Sequence, residues 1–410
     1  MRKDYKDTEV GVIPSDWKVK KIYDVSEVKT GPFGSTLHER DYVEDGTPII
    51  TVEHLGEQGV VHINLPMVSD ADRKRLQGYS LQTGDLVFSR VGSVDRNSLI
   101  SEKENEWLFS GRLLRIRVKN KAILPVYLSY CFHQESTKQR IRSVAVGQTM
   151  ASLNTQILND VQVAFPPTLA EQERIAKALS DTDALITSLE KLITKKRNIK
   201  QGTMQELLTG KKRLPGFNGK WEVKKLGEIG EIVTGSTPPT QTKEYWNGSI
   251  PWITPTDISD EKNIFNSERE ISPLGLQVIR KLPANTLLVT CIASIGKNAI
   301  LRVDGASNQQ INAIIPYKDY DLDFLYYLIE NNKQYLLGNA GITATLMISK
   351  KDFSEIIFLF PPQKNEQSSI ANILSDMDAE IKQLEQKLSK YKFIKQGMMQ
   401  ELLTGKIRLV

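Results

Sequence analysis

The sequence has little cysteine and histidine and no long apolar run. Its 410 residues include four histidines and two cysteines, Cys131 and Cys291. Two cysteines so far apart predict no disulfide framework and fit a reducing cytoplasm. No run of 18 apolar residues occurs, and the N-terminus lacks the apolar stretch of a signal peptide. We therefore expect a cytoplasmic protein that does not contact a membrane.

The motifs of several enzyme classes are absent as well. There is no GxxxxGK[ST] loop, which argues against ATP hydrolysis by this chain. No HExxH and no CxxC occurs, which argues against a zinc site. The Phe-Pro-Pro sequences at Phe165 and Phe360 lack the polar and aromatic neighbours that DNA amino-methyltransferases need to hold a target amine. The sequence predicts a chain that is not an enzyme and that holds no metal or cofactor.

The charge is nearly balanced and unevenly placed. The net charge is +5, and residues 166–214 alone carry ten basic against six acidic residues. The stretches on either side are close to neutral. Bulk charge therefore does not identify a nucleic-acid binder, and any such surface must be a local patch.

The dominant feature is an internal repeat. Residues 165–214 align with residues 360–409 at a constant offset of 195, and 30 of the 50 positions are identical. IKQGTMQELLTGK at Ile199 thus returns as IKQGMMQELLTGK at Ile394. A weaker sequence similarity links the residues around Trp17 to those around Trp221. We predict four segments: a first globular domain at 1–165, a repeated helix at 166–214, a second globular domain at 215–360 and a second repeated helix at 361–410.

Each repeat has the apolar spacing of a coiled-coil helix, alternating four and three residues. Thr168 is a predicted N-cap with Glu171 reaching back to it, and Gly210 and Gly405 are predicted C-terminal glycines. The predicted seam consists of Ile175, Leu179, Ile186, Leu189 and Ile193 in the first copy, and Ile370, Leu374, Met377, Ile381, Leu384 and Leu388 in the second.

One such helix would expose its apolar seam, so the two copies are expected to cover each other. A parallel pair and an antiparallel pair are both possible. We favour the antiparallel pair, because it lets the N-terminal segment meet the end of the second helix. The predicted fold class is α+β: two globular mixed α/β domains joined by two long helices that form an antiparallel coiled coil, pseudo-two-fold and quasi-circular. Within the globular parts, 84–89 and 285–290 are predicted strands, and 127–142 and 322–337 predicted helices.

The repeated motif resembles a known family. Phe-Pro-Pro-x₃-Glu-Gln-x₂-Ile-Ala-x₂-Leu, followed by Lys-Gln-Gly-x-Met-Gln-Glu-Leu-Leu-Thr-Gly-Lys, occurs twice between dissimilar domains. This pattern is similar to the specificity subunit of Type I restriction–modification systems. The resemblance covers the whole chain. It implies that each variable domain is a target-recognition domain, which reads one half of an asymmetric, bipartite sequence in double-stranded DNA.

The resemblance also implies partners. The repeated helices would set the unread gap and dock two methyltransferase (modification) subunits, and restriction (endonuclease and translocase) subunits would complete the complex. S-adenosylmethionine, ATP and Mg²⁺ would belong to those partner subunits. Two alternatives remain at this point: a specificity subunit of a Type IIB-like system, or a coiled-coil interaction scaffold without DNA specificity.

Residues that contact DNA are harder to predict. Base edges in the major groove are read by Arg, Lys, Asn, Gln, Ser and Thr, and phosphates by cations and free amides near glycines. The first-domain candidates are Gly31, Phe33, Ser35, Ser89, Arg90, Ser93, Arg115, Arg117, Gln148 and Asn154. The second-domain candidates are Gly235, Ser236, Thr237, Thr254, Thr256, Lys297, Asn308, Gln309, Gln310 and Thr343.

Two further pairs of residues recur. Trp17 and Trp221 are expected to be packing anchors. Gly202 and Gly397 lie inside the predicted helices, where glycine costs about 1 kcal/mol relative to alanine. They indicate a place where another backbone approaches or the helix bends.

Overall fold

The computed structural model describes residues 4–32, 37–57, 59–146, 151–341 and 346–410, except for the side chain of Glu39. The chain divides into two compact units. Unit 1 comprises Met1–Glu190 and Gln386–Val410, and unit 2 comprises Lys191–Glu385. Each unit therefore contains one globular domain and parts of both long helices.

The globular part of unit 1 contains fourteen short strands and five short α-helices among the described residues. The strands are β1 (Tyr5–Thr8), β2 (Gly11–Pro14), β3 (Lys18–Lys21), β4 (Ser26–Thr30), β5 (Tyr42–Val43), β6 (Thr47–Ile50), β7 (Leu55–Gly56), β8 (Gly59–Val60), β9 (Met67–Val68), β10 (Leu86–Ser89), β11 (Asn97–Leu99), β12 (Leu108–Phe109), β13 (Leu113–Val118) and β14 (Gln162–Phe165). The helices are α1 (Ile22–Val25), α2 (Asp70–Arg75), α3 (Pro125–His133), α4 (Glu135–Val144) and α5 (Thr155–Asp160).

The first long helix, α6 (Leu169–Leu207), follows, and then comes the globular part of unit 2. Its strands are β15 (Glu222–Lys225), β16 (Gly230–Thr234), β17 (Trp246–Ile253), β18 (Asn263–Ile264), β19 (Glu270–Ile271), β20 (Thr286–Thr290), β21 (Asn298–Leu301), β22 (Ala306–Ser307), β23 (Ile311–Pro316) and β24 (Ile357–Phe360). Its helices are α7 (Leu226–Ile229), α8 (Pro273–Gln277), α9 (Leu322–Asn331), α10 (Lys333–Gly338) and α11 (Lys350–Glu355), and the second long helix is α12 (Lys364–Leu402).

The two units share one central sheet arrangement. Strands run in the order β11-β10-β13-β4 in unit 1 and β21-β20-β23-β16 in unit 2, where β18 adds a fifth strand. The four shared strands pair antiparallel with one another, whereas β18 is parallel to β21. Both predicted strands are present as β10 and β20, and they are buried along their whole length. The mixed α/β domains predicted from many short strands are confirmed.

The predicted helix from Tyr127 to Arg142 is two helices, because the chain becomes extended at Gln134 (φ −65°, ψ 131°) between α3 and α4. The apolar run in α3 is almost wholly buried, whereas α4 carries mostly polar residues and buries only Thr137 and Ile141. The break lets each helix turn its own buried face to the core. In the second unit a helix is also interrupted by one residue, Asn332 (φ −116°, ψ 24°), which is not extended and lies between α9 and α10.

The long helices pair antiparallel within each unit, as predicted. In unit 1, ion pairs join Asp183 to Lys395 (2.7 Å) and Glu190 to Lys392 (2.7 Å). Residue numbers therefore increase along one helix in the direction in which they decrease along the other. In unit 2, Arg197 pairs with Glu385 (2.5 Å) and Lys200 with Asp378 (2.5 Å), in the same sense.

The predicted seam positions are buried or half-buried in the structure. In unit 1, Ile175 and Leu179 of α6 share a core cluster with Leu402 and Leu403 at the end of α12. In unit 2, Ile370 and Leu374 share a cluster with Leu207 and Leu208. The apolar surface that one helix would expose is therefore covered in each unit by the other helix and the globular domain. Both helices span 39 residues, but none of the described helices is long and apolar enough to cross a membrane.

Each helix start is joined to the chain that follows the other helix. The backbone amide of Glu171 donates to Thr168 Oγ1 (3.4 Å), so Thr168 is the predicted N-cap. The Glu171 carboxylate, however, pairs with Arg408 (2.5 and 2.8 Å). This is the predicted meeting of the N-terminal part of the chain with the segment after the second helix, since Arg408 also binds Asp16 (2.9 and 3.0 Å).

The tryptophans and glycines of the repeat have different explanations. A Cβ at Gly405 (φ +70°) would lie 2.5 Å from Pro14 and 3.0 Å from Trp17, and one at Gly210 (φ +69°) would lie 3.2 Å from Trp221. The tryptophans are thus packing anchors for the C-terminal glycines. At Gly202 and Gly397 no atom of the described residues lies within 4 Å of an added Cβ, apart from the local helix backbone. The predicted close approach is therefore not made by the described part of this chain.

Both units should lose stability in alkali. Burial raises the pKa of Cys131 and Cys291 to about 12, and it is also the main cause that raises the pKa of Tyr130, Tyr326 and Tyr327. A folded-state pKa above the unfolded value stabilises the fold below about pH 9 and loses that contribution as pH rises. We expect the midpoint of thermal unfolding to fall between pH 8 and pH 11. The Cys131→Ala/Cys291→Ala double variant should fall less over the same interval, and an equal fall in both proteins would contradict this assignment.

Candidate nucleic-acid interface

Three loops of unit 2 meet around residues 308–310, just before β23. The Asn308 amide donates to the Ile253 carbonyl (2.9 Å), which joins this loop to the end of β17. The Ser236 amide donates to the Ser307 carbonyl (2.8 Å), and the Cys291 amide donates to the Gln310 carbonyl (2.8 Å). The loops after β16, β17 and β20 therefore converge on the loop that precedes β23.

The described second-domain candidates all lie in or beside these loops. Gly235, Ser236 and Thr237 follow β16, and Thr254 and Thr256 follow β17. Thr237 Oγ1 lies 2.6 Å from Gln309 Oε1, and Thr254 Oγ1 lies 2.7 Å from Thr256 Oγ1. The Lys297 amide donates to Thr290 Oγ1 (3.0 Å) in the neighbouring turn. Lys297, Thr256 and Gln309 are exposed, whereas Asn308 is buried.

Unit 1 has an equivalent cluster with different side chains. The Gly31 amide donates to the Leu113 carbonyl (3.1 Å), and the Arg90 amide donates to the Arg112 carbonyl (2.8 Å). The Ser110 amide donates to the Ile50 carbonyl (2.9 Å), as Asn308 does to Ile253 in unit 2. Ser110 and Arg112 thus take the positions of Asn308 and Gln310, three residues and one residue before strand β13 or β23.

A close backbone approach explains the glycine at the same place in each cluster. A Cβ at Gly31 would lie 2.1 Å from the Ser110 carbonyl oxygen, and one at Gly235 would lie 2.0 Å from the Asn308 carbonyl oxygen. The amides of both glycines donate within the sheet, to Leu113 and Ile311. Their amides are therefore used for folding and are not left for a phosphate.

Several first-domain candidates lie in other surroundings. Ser89 is buried and its hydroxyl donates to the Val91 carbonyl (3.0 Å), and Asn154 caps α5 by accepting from the Ile157 amide (2.8 Å). Ser93 is exposed in the turn after β10, and Arg90 is half-buried beside it. Four candidates, Phe33, Ser35, Gln148 and Thr343, lie outside the described residues.

The two strand arginines are ion-paired. Arg115 is 2 % exposed and donates to Glu27 (2.9 Å), and Arg117 donates to both oxygens of Asp85 (2.8 and 2.6 Å). Burial is the main cause that lowers the pKa of Arg115, whereas the bond to Asp85 raises the pKa of Arg117. The alternation of basic residues along β13 thus puts these two side chains into internal ion pairs.

Three arginines that the sequence patterns did not single out lie beside the loop clusters. Arg112 is exposed beside Arg90, and Arg269 stacks on Trp246 (4.1 Å) and Trp252 (5.0 Å). Arg280 Nη1 donates to the Thr234 carbonyl (2.8 Å) at the edge of the unit 2 cluster. Among the described residues, neither these three arginines nor Lys297 has an acidic partner within 4 Å. A cation without an acidic partner, next to polar loops, is suited to contact phosphate or a base edge. No sequence signal separated these arginines from ordinary surface arginines.

The cavity elsewhere in unit 1 does not match this chemistry. It has a volume of about 730 Å³ and is lined in part by His133, Lys138 and Lys395. Each of these lysines is ion-paired, with Glu57 or Asp183, and burial lowers the pKa of His133 to about 4. In the described part of the chain, no group of three His, Cys, Asp or Glu side chains is placed to hold a metal ion.

The comparisons with known proteins identify the family. The model of the Type I restriction modification DNA specificity domain matches residues 14–201 and 218–390. The chain is 29% identical over 426 residues to a putative Type I restriction enzyme MjaX specificity subunit from Methanocaldococcus jannaschii, covering 99% of this chain and 97% of that protein.

Two solved structures share the fold. A Type I restriction–modification S subunit from M. genitalium superposes with a TM-score of 0.61, at 15% identity, over 94% of this chain and 96% of that one. A chain from a structure on complex assembly and conformational transition of the Type I system gives a TM-score of 0.58, at 15% identity, over 96% and 99%. The chain belongs to the family of Type I restriction–modification DNA specificity subunits.

Arg112 gives a direct test of the unit 1 cluster. Replacing Arg112 by alanine should weaken binding to specific DNA by about 1–3 kcal/mol and relax one position of the target, because an exposed guanidinium is lost from the loops. Binding would be measured by fluorescence anisotropy of the chain with its partner subunits. Arg73→Ala, which removes an exposed arginine paired with Glu106, is the control and should leave affinity unchanged. Equal affinity of the Arg112 variant and the wild type would remove Arg112 from the interface.

Proposed function

We propose that this chain is the non-catalytic subunit that gives a Type I restriction–modification complex its DNA sequence specificity. Each unit reads one half of a bipartite target in double-stranded DNA through its loop cluster. The unit 1 reading surface is formed by Arg90, Ser93 and Arg112. The unit 2 surface is formed by Thr237, Lys297 and residues 308–310.

The observation that carries this proposal is that equivalent positions in the two clusters hold different chemistry. Arg112 corresponds to Gln310, and Arg90 corresponds to Cys291, while the strands beneath them have the same order. Burial raises the pKa of the Cys291 thiol to about 12, so it stays neutral where unit 1 has a guanidinium. A shared scaffold with different side chains would read two different half-sites, so we expect an asymmetric target.

The remaining assignments follow from the same proposal. The paired helices set the unread gap between the half-sites and dock two methyltransferase subunits, with restriction subunits completing the complex. S-adenosylmethionine, ATP and Mg²⁺ belong to those partners. We place the complex in the cytoplasm, which agrees with two unpaired, buried cysteines.

The proposal is tested by expressing the chain with its modification subunit and sequencing the methylated bases of the host genome. We expect a discontinuous, asymmetric motif. A continuous or palindromic motif would contradict the reading by two different units. Cleavage at a fixed distance on both sides of the motif would favour a Type IIB-like system. Assembly with partners but without any sequence preference would favour a scaffold.

A further inference from the structure

We infer that Gln310 is a specificity-determining residue of unit 2 and that it reads guanine, because Asn308 fixes its side-chain amide with the NH₂ group outward. This inference rests on the proposed function, since it assumes that the cluster contacts DNA. It adds the identity of one base and the group that selects it.

The orientation of Asn308 follows from a donor that cannot be reversed. The backbone amide of Gln310 donates to Asn308 Oδ1 (3.1 Å), and a backbone N–H can only donate. The oxygen of the Asn308 side chain therefore faces that amide, and its nitrogen occupies the other position. This removes the usual ambiguity between the oxygen and nitrogen of a side-chain amide.

The orientation of Gln310 follows in turn. Asn308 Nδ2 lies 2.9 Å from Gln310 Oε1 and must donate to it. If the Gln310 amide were reversed, two NH₂ groups would face each other. The Gln310 NH₂ group thus points away from Asn308, and no described residue accepts a hydrogen bond from it.

The backbone around this pair is held firmly. Asn308 is 7 % exposed, its amide donates to Ile253 (2.9 Å), and the Ile311 amide donates back to the Asn308 carbonyl (3.2 Å). The Gln310 carbonyl accepts from the Cys291 amide (2.8 Å). A half-buried side chain on such a loop presents its donor in one place.

Gln309 provides an internal contrast. Its Oε1 lies 2.6 Å from the hydroxyl of Thr237, and a hydroxyl can either donate or accept. The Gln309 amide can therefore turn over without losing this bond. Of the two glutamines, Gln310 is the one whose orientation follows, through Asn308, from a backbone donor, so it presents a fixed hydrogen-bonding group.

This orientation changes the base that a glutamine selects. Glutamine usually binds adenine by accepting from N6 and donating to N7, which needs both ends of the amide. Because Oε1 faces Asn308 and accepts from its Nδ2, Gln310 turns the two hydrogens of Nε2 outward. Guanine presents two acceptors, N7 and O6, in the major groove. The structure therefore assigns guanine to this position of the unit 2 half-site.

The test compares variants of the assembled complex on DNA in which one half-site is randomised. Gln310→Glu keeps an oxygen for Asn308 but places an acceptor outward, so preference at one position should change from guanine to cytosine, whose N4 is a donor. In the Asn308→Asp variant both side-chain oxygens accept hydrogen bonds, so the side-chain amide of Gln310 must turn over and point its oxygen outward. The preference for guanine at that position should then be lost. We expect the preference for guanine to fall roughly 5- to 150-fold in each variant, the range for one good base contact.

Gln363→Glu, an exposed substitution at the start of α12 with the same charge change, is the matched control and should keep the wild-type motif. Adenine at every purine position of the wild-type half-site would overturn the inference. So would a motif that is unchanged in Gln310→Glu. Either result leaves the proposed function intact, provided that the wild type selects a bipartite motif. A wild-type complex without sequence preference would instead refute the proposed function.

Discussion

Replacing Arg408 by alanine should destabilise unit 1 by about 3 kcal/mol. Arg408 donates to both oxygens of Glu171 (2.5 and 2.8 Å), and the Glu171 side chain is 1% exposed. Without the guanidinium, a buried carboxylate at the start of α6 has no cation beside it. Removing one partner of a buried pair is costly because the other charge remains in an apolar environment. Asp16 would lose its two contacts with Arg408 as well.

The loss can be localised, because the pair joins two distant parts of the chain. Hydrogen exchange should become faster in the first turns of α6 and after the end of α12, and the midpoint of urea unfolding of unit 1 should fall. Lys406→Ala, which removes an exposed cation close by, is the control and should change neither quantity. If the amides in the first turns of α6 exchanged as slowly in Arg408→Ala as in the wild type, other contacts would hold this segment.

Unit 2 contains the same pair in the corresponding position. Arg213 donates to both oxygens of Glu366 (2.5 and 2.7 Å), and Glu366 also accepts from Trp221 Nε1 (3.3 Å). Arg213→Ala is therefore expected to accelerate exchange at the start of α12 and to leave the start of α6 unchanged. The extra donor from Trp221 makes this effect the smaller of the two.

The sequence was sufficient for the helices because their signal is local and repeated. Ile175 and Leu179, for example, stand at coiled-coil spacing, and any pairing that covers them must use the second copy. The antiparallel sense could also be predicted from the order of the segments. The prediction that the Glu171 side chain reaches back to Thr168 was wrong: its carboxylate binds Arg408, which lies 237 residues away and which no local pattern connects to it.

The candidate interface was predictable where loops carry short polar motifs. Asn308, Gln309 and Gln310 stood out as three consecutive amides, and the structure brings them next to Thr237. Arg115 and Arg117 had an equally suggestive pattern, yet their surroundings depend on Glu27 and Asp85 from other strands. Arg112 was not among the predicted residues, because no sequence pattern marks it. Its exposure and its match with Gln310 are apparent only when the two sheets are compared.

The second large effect is expected at Asp183, where a helix pair is joined to a globular domain. Asp183 pairs with Lys395 of α12 (2.7 Å) and accepts from the Tyr130 hydroxyl of α3 (2.9 Å), and both charged side chains are less than 15% exposed. Burial, followed by the Asp183 carboxylate, raises the pKa of Tyr130, so the hydroxyl remains a donor at neutral pH. Asp183→Ala should leave Lys395 buried without its partner and destabilise unit 1 by about 3 kcal/mol.

The same three residue types recur in unit 2, where Asp378 binds Lys200 and the Tyr327 hydroxyl, but Asp378 is 37% exposed. Water can reach Lys200 after Asp378→Ala, so we expect a smaller loss there, about 1 kcal/mol. A double-mutant cycle in unit 1 separates the ion pair from packing: Asp183→Leu combined with Lys395→Met should recover most of the stability lost by Asp183→Leu alone. If the two substitutions were simply additive in urea unfolding, the pair would not couple the helices. The buried triad would then contribute through packing alone.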